Sequence, residues 1–310
     1  MEKSSQQSSL APHFALLSTQ FMFGSFPVFG KFALQTFPSL ALVGFRVFGA
    51  GLAFYFLQRL TGNLRLARKG DYWRLAVYSL LGVVANQLLF VKGLSLTTAT
   101  NTSLLAVTIP VFATLTSAII GNERLNAKMI AGISLAAFGV IYLIDPTSAS
   151  FSSETTQGDL MIVFNCLFYA SYLAISQDTI RRNGALLSIT WMFLFGSLIC
   201  LPIGAFSLSA IDLNAVGWNT WLTVLYLILF PTIGAYYLNA WSLTRVAPSM
   251  VAVYAYLQPL IGFILAVLFL GEQFTFRFVI AGALIFAGVF LVTRKVNADQ
   301  EELIAHRTFP

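Results

Sequence analysis

About ten apolar runs, each close to the roughly 20 residues that cross a bilayer, fill this 310-residue chain. Lipid leaves a spanning backbone two solutions, the helix and the closed barrel, because every N–H and C=O must find a partner within the protein. A barrel would show short alternating segments, and continuous runs select the helix. Composition agrees. Apolar residues make up 57% and charged residues 10% of the chain, where soluble domains carry roughly 25% charged residues, and the mean hydropathy is +0.79. The expected fold class is an all-α polytopic membrane protein.

The runs predict helices over 12–37, 38–60, 72–93, 99–120 and 126–144, then 159–180, 186–208, 216–243, 247–270 and 274–292. Short connections carry the basic residues. One side receives Arg59, Arg65, Arg68, Lys69 and Arg74, then Arg124, Lys128, Arg181, Arg182, Arg245, Arg294 and Lys295; the other holds Lys92 and Arg277. This asymmetry places both termini in the cytoplasm and predicts a multi-pass protein of the plasma or inner membrane. It also accounts for the net charge of +6 without nucleic acid. Residues 1–11 and 294–310 read as cytoplasmic tails, and 145–158 as a non-cytoplasmic connection. The start of the chain is polar, with no cleavable signal evident.

A duplication organises the runs. Pro110, Glu123, Gly139 and Val140 recur 149 residues later as Pro259, Glu272, Gly288 and Val289, each at the same place in a helix–turn–helix. An offset of 145 maps Gln20, Gly24 and Pro27 onto Asn165, Tyr169 and Tyr172, which share a helical face within each half. Five helices per half is an odd number, so the halves, 12–144 and 159–293, insert in opposite senses. Ten transmembrane helices as two inverted five-helix repeats is an architecture of secondary transporters, with the substrate between the halves.

With Phe23-Gly24-Ser25 and Lys31 in the first helix, Pro38 and Arg46 in the second, and the two Pro…Glu…Gly blocks, the chain resembles the EamA-type ten-helix members of the drug/metabolite transporter superfamily over roughly 11–293. The resemblance implies a carrier, usually an exporter of amino acids or other small metabolites. It also implies a cavity lined by helices 1, 3, 4, 6, 8 and 9, with 2, 5, 7 and 10 in support. Phe23 departs from the Trp that the family often places before the helix 1 glycine.

The residues that could serve such a cavity are mostly uncharged. Gln20, Asn86, Gln87, Asn101, Asn165 and Gln258 put amides within or near apolar spans, where they either bond across helices or meet water. Gly24, Tyr169, Tyr172, Tyr236, Trp241 and Tyr254 complete the expected lining, with Tyr236 opposite Gln87 and Trp241 opposite Lys92 at the 149 offset. Lys31, Arg46 and Lys92 are candidates for gating or anion contact, each against a structural or interfacial role. Arg46, eight residues into its helix and thus roughly 12 Å deep, needs a carboxylate, carbonyls or an aqueous cavity. Asp178 is expected to pair locally with Arg181 and Arg182, and Glu123 and Glu272 to suit the first turns of helices 5 and 10. Gly132 with Ala136, and Ala283 with Ala287, read as close-packing faces, within the monomer or in a homodimer.

Cys166 and Cys200 lie in apolar runs and read as core residues, and His13 and His306 stand near opposite ends, so no metal or cofactor is expected. No acid lies in the middle third of a predicted helix, and there is no HExxH, GxSxG or paired mid-membrane Asp, which argues against an enzyme. The expectation is a carrier of amino acids or similar metabolites working by alternating access. An exchanger of sugar phosphates or nucleotide sugars is the alternative within transport, and a membrane receptor the alternative outside it. The expected partners are a small-molecule substrate and the lipid bilayer.

Overall fold

The computed structural model describes residues 11–121, 125–144, 153–209, 211–245, 254, 257–273 and 275–291. Ten helices run through them: α1 (Ala11–Leu34), α2 (Ser39–Thr61), α3 (Gly70–Leu96), α4 (Ala99–Ile119), α5 (Ala127–Ile144), α6 (Glu154–Asn183), α7 (Ala185–Leu208), α8 (Trp218–Leu243), α9 (Leu257–Leu270) and α10 (Phe276–Leu291). Six of them, α2, α3, α4, α6, α7 and α8, are long and apolar enough to cross a membrane, and α5, α9 and α10 are shorter apolar helices. Phe14, Ile119, Phe206 and Leu268 stand exposed on the outside of the bundle, as lipid-facing side chains do.

Helix ends follow local chemistry. Pro38 opens α2, and Gly121 and Gly271 take the left-handed conformation just past α4 and α9, with φ of 81° and 65°. At α4, Thr98 Oγ1 accepts the Asn101 N–H at 3.0 Å, while the Glu272 carboxylate accepts from Ala99 N and Thr100 N, both at 2.9 Å. Three of the four orphan donors of that helix start are thereby bonded. Glu272 therefore caps α4 across the fold, whereas sequence spacing assigns it to the first turn of helix 10. Glu123, Arg124 and the 145–152 connection lie outside the described residues, as do His306, Arg294 and Lys295.

The halves pack reciprocally. α1 lies on α9 as α6 lies on α4, and α6 lies on α3 as α1 lies on α8. The second helices of each half, α2 and α7, meet at glycines: a Cβ at Gly44 would come within 3.0 Å of Gly204 Cα. α5 and α10 repeat the device. A Cβ on Gly139 would meet Ile285 Cγ1 at 2.8 Å, and one on Gly288 would meet Ala136 N at 2.5 Å. Gly139 and Gly288 are 149 apart, and so are Ala136 and Ile285, so the two contacts are images of each other. This reciprocity is the signature of a two-fold relation between the repeats, the inverted ten-helix arrangement expected from the sequence. The small-residue reading of α5 stands at Gly132 and Ala136, but on α10 the packing face is Gly288 and Ile285, and Ala283 and Ala287 are exposed.

Two helices are wound differently at their middles. α3 takes a π turn at Leu80–Ala85 and α8 one at Leu229–Gly234, again 149 residues apart. α4 tightens to a 3₁₀ turn at Ala106–Thr108, just before Pro110, whose missing N–H breaks the ladder there. α6 is longer than the predicted 159–180 at both ends, and its 30 residues span ~45 Å at 1.5 Å per residue. That exceeds the roughly 30 Å of a bilayer's hydrocarbon core, and α6 carries polar contacts at each end.

Candidate functional site

The site grows from a proline. Pro231 cannot donate to the Leu227 carbonyl, and the Thr232 hydroxyl does so instead, at 2.7 Å. Thr232 Oγ1 then accepts a hydrogen bond from Arg46 Nε at 3.0 Å. Arg46 Nη1 donates to Gln87 Oε1 at 2.6 Å, and the guanidinium carbon lies 3.8 Å from the Phe26 ring centroid. Arg46 is 1% exposed. A cation taken out of water at this depth costs several kcal/mol unless compensated; here a hydroxyl, an amide and an aromatic face do so in part. It makes no ion pair: among the described residues those belong to Asp71, with Arg182 at 2.7 Å and Arg74 at 3.6 Å.

From Arg46 the polarity runs on through a directed chain. Gln87 Nε2 donates to the Tyr236 hydroxyl at 3.0 Å, and Tyr236 donates to Asn86 Oδ1 at 3.0 Å, with the Gly82 carbonyl 3.3 Å away. Gln87 and Tyr236 occupy equivalent positions of the two repeats, so this bond crosses the pseudo-two-fold axis. Gly82 and Asn86 lie in and just beyond the α3 π turn, and Thr232 lies in that of α8. Asn165 Nδ2 donates to the Asn86 carbonyl at 2.8 Å, and Asn239 Nδ2 to the Tyr169 hydroxyl at 3.2 Å.

These groups surround a cavity of about 70 Å³, room for several water molecules or a small solute's head group. Arg46, Asn86, Gln87, Asn165, Tyr169, Tyr236 and Gln258 give it polar walls. Phe23, Phe26, Phe90, Ala106 and Ile109 supply apolar ones. Helices α1, α3, α4, α6, α8 and α9 all contribute, as the resemblance implies. Helix α2, expected only to support them, joins the wall through Arg46.

Other sequence candidates fall elsewhere. Gly24 is a packing residue: a Cβ there would lie 2.8 Å from the Gln258 carbonyl oxygen and 2.9 Å from Ile261 Cβ, so α1 presses against α9. Tyr172 is buried over Gly82 and beside Tyr78, with ring centroids 6.4 Å apart. Asn101 donates to Asp159 Oδ2 at 3.0 Å, and Thr97 donates to Oδ1 at 2.5 Å. Gln20 is buried in α1 away from the cavity walls. Trp241 carries Arg245 over its ring at 3.8 Å, and Tyr254 bonds His13 Nδ1 at 2.7 Å. Lys92 is exposed, and Lys31 is half-buried at the end of α1 within the field of Glu272; neither lines the cavity. Pro110 and Pro259 are buried, each near the start of its apolar run. Cys166 and Cys200 are free and buried.

Thr232, Phe26, Asp159 and Asp71 were not among the sequence candidates, and His13, weighed there only as a metal ligand, bonds Tyr254 instead. The signal for Thr232 was the Pro231-Thr232 pair inside an apolar run. For Asp159 it was an acid taken as a helix boundary; the residue is 2% exposed and ties α6 to the start of α4. Arg182 does not pair with Asp178, as its spacing suggests, but makes a two-pronged bond to Asp71, which Asn183 also meets at 2.9 Å.

Two interlocked helical repeats with a polar cavity on their symmetry axis define a membrane transporter. Comparison with known proteins agrees. The EamA-like transporter family matches residues 10–144 and 156–294, and the chain belongs to it, within the drug/metabolite transporter superfamily. An uncharacterized transporter of Archaeoglobus fulgidus is 29% identical over 91% of this chain and 97% of its own. The uncharacterized transporter YetK of Bacillus subtilis is 26% identical over 94% and 89%. The protein WALLS ARE THIN 1 of Arabidopsis thaliana is 26% identical over 90% and 82%. A crystal structure superposes with a TM-score of 0.62 at 19% identity, covering 96% of this chain and 99% of that one, and shares the fold.

Proposed function

We propose that this chain carries amino acids or similar small metabolites across the cell membrane by alternating access, with both termini in the cytoplasm. The observation that carries this reading is the cavity itself. It sits where the repeats meet, and a hydrogen bond between the equivalent residues Gln87 and Tyr236 crosses the axis there. Rocking one half against the other about such a site exposes it to each side in turn. The amides and tyrosine hydroxyls of the wall suit a small polar solute, and the phenylalanines suit its carbon skeleton. A sugar-phosphate or nucleotide-sugar exchanger would want several cations converging, and of the three candidates only Arg46 lines the cavity.

The test is uptake and counterflow in proteoliposomes, using a panel of labelled amino acids with and without a pH gradient. Trans-acceleration by unlabelled solute is the expected result. Flux of sugar phosphates alone moves the alternative into first place. Absence of flux for every solute returns the chain to the receptor reading.

A further inference from the structure

We infer that Arg46 is the receptor for a single carboxylate of the transported solute; the inference builds on the carrier reading and names the substrate's anionic group. Three observations converge on it. First, Arg46 is almost fully buried, has no acidic partner among the described residues, and lines the cavity. Its Nε and Nη1 are engaged by Thr232 and Gln87, whereas Nη2 donates to no described group. The guanidinium is thus held by two prongs and one aromatic face, leaving donor capacity for a ligand.

Second, the hydrogen-bond chain has a direction that turns donors toward the cavity. Arg46 uses the Gln87 oxygen, Gln87 uses the Tyr236 oxygen, and Tyr236 uses the Asn86 side-chain oxygen. Each acceptor along this chain is consumed within it. Asn86 Nδ2 donates to no described group, and the Tyr169 hydroxyl, which accepts from Asn239, keeps its own proton free. Along this chain the acceptors are used and the donors are spare, which complements an acceptor-rich ligand, and Gln258 adds to the wall an amide that bonds to no described group.

Third, the charge count fixes the ligand's class. One cation and no acid line the cavity. A carboxylate neutralises it and matches the planar fork of a guanidinium; a phosphate dianion would leave a second negative charge without a partner. The remaining amides and aromatic faces take neutral polar groups or an ammonium, so a zwitterionic amino acid and a plain monocarboxylate both present the group that Arg46 requires.

The test separates this subsite from transport. Purified protein in detergent is melted with acetate or benzoate, with acetamide or benzamide, and with phosphate, at constant ionic strength maintained with chloride. A ligand that binds the folded state raises its apparent melting temperature. The expected result is a rise with the carboxylates, none with the isosteric amides, and a smaller one with phosphate. Arg46→Gln should weaken the apparent carboxylate affinity about ten- to hundredfold, the value of a charged hydrogen bond, and Arg46→Lys should restore part of it. If the variants do not fold, the comparison of acid with amide on the unaltered protein decides alone. Equal shifts for acid and amide, no shift with any carboxylate, or a larger shift with phosphate overturns the assignment. Carboxylate-specific stabilisation in a protein that moves no solute would instead sustain the subsite and reject the carrier.

Discussion

Glu272 and Arg46 show how far a single side chain can reach in this fold. Both are long and charged, and both act on a helix in which they do not lie. Glu272 leaves the α9–α10 turn to take two N–H groups of α4, where the helix dipole also favours its charge. Removing a capping acceptor costs about 0.5–2 kcal/mol. Glu272→Ala should therefore lower the apparent melting temperature by about 1 °C or more, and Glu272→Gln, which keeps one carbonyl acceptor, by less. An unchanged melting temperature in both variants would show that water replaces the cap. The sequence placed Glu272 at a position that recurs in both repeats but on the wrong helix, because spacing along the chain reports neighbours in sequence, whereas a carboxylate of this reach finds its donors through tertiary packing. Arg46 was legible as a buried cation in need of a partner. That its partners would be a threonine bonded to the carbonyl a proline leaves open and a glutamine on the symmetry axis was not, since neither relation has a period.

At the scale of helices, glycines set how closely the repeats approach. Gly288 lies against the α5 backbone, whereas Gly282, six residues earlier on α10, has its nearest neighbour, Leu104 Cδ1, 3.7 Å from where a Cβ would stand. Gly288→Ala should destabilise the protein by about 1–3 kcal/mol through overpacking. Gly282→Ala should be neutral or stabilising, by up to about 1 kcal/mol, because alanine favours the helix. Thermal unfolding of the two variants side by side checks this, and equal behaviour would contradict the packing described. The same contrast explains what the helical faces did and did not reveal. Gln20, Gly24 and Pro27 map onto Asn165, Tyr169 and Tyr172, yet only Asn165 and Tyr169 reach the cavity. On α1, Gly24 of that face presses against α9, and Phe23 and Phe26 form the wall. A shared face is visible as a period, but the helix it meets is chosen by shape. The paired π turns were invisible for a related reason: an extra residue in a turn changes backbone bonding without disturbing a uniformly apolar run.

The whole molecule is two interlocked repeats tied at both ends. At one end α6 is tied to α4 through Asp159, Thr97 and Asn101; at the other, α3 is tied to α6 through Asp71 and Arg182, and α1 to the start of helix 9 through His13 and Tyr254. The ten-helix inverted plan was readable from the apolar runs, the odd number of helices per repeat and the 149-residue offset, since each is a property of the chain's pattern alone. Carriage by such a molecule requires that the space between the repeats be the route of the solute. The most direct measurement places single cysteines by Asn86→Cys, Tyr169→Cys and Gln258→Cys and reacts each with membrane-impermeant hydrophilic thiol reagents applied from either side. Cys166 and Cys200 are buried and give a low background. With the cavity as the route, all three positions are labelled and a transported solute slows the labelling. If all three resist reagent from both sides while the protein still transports, the cavity is not the route.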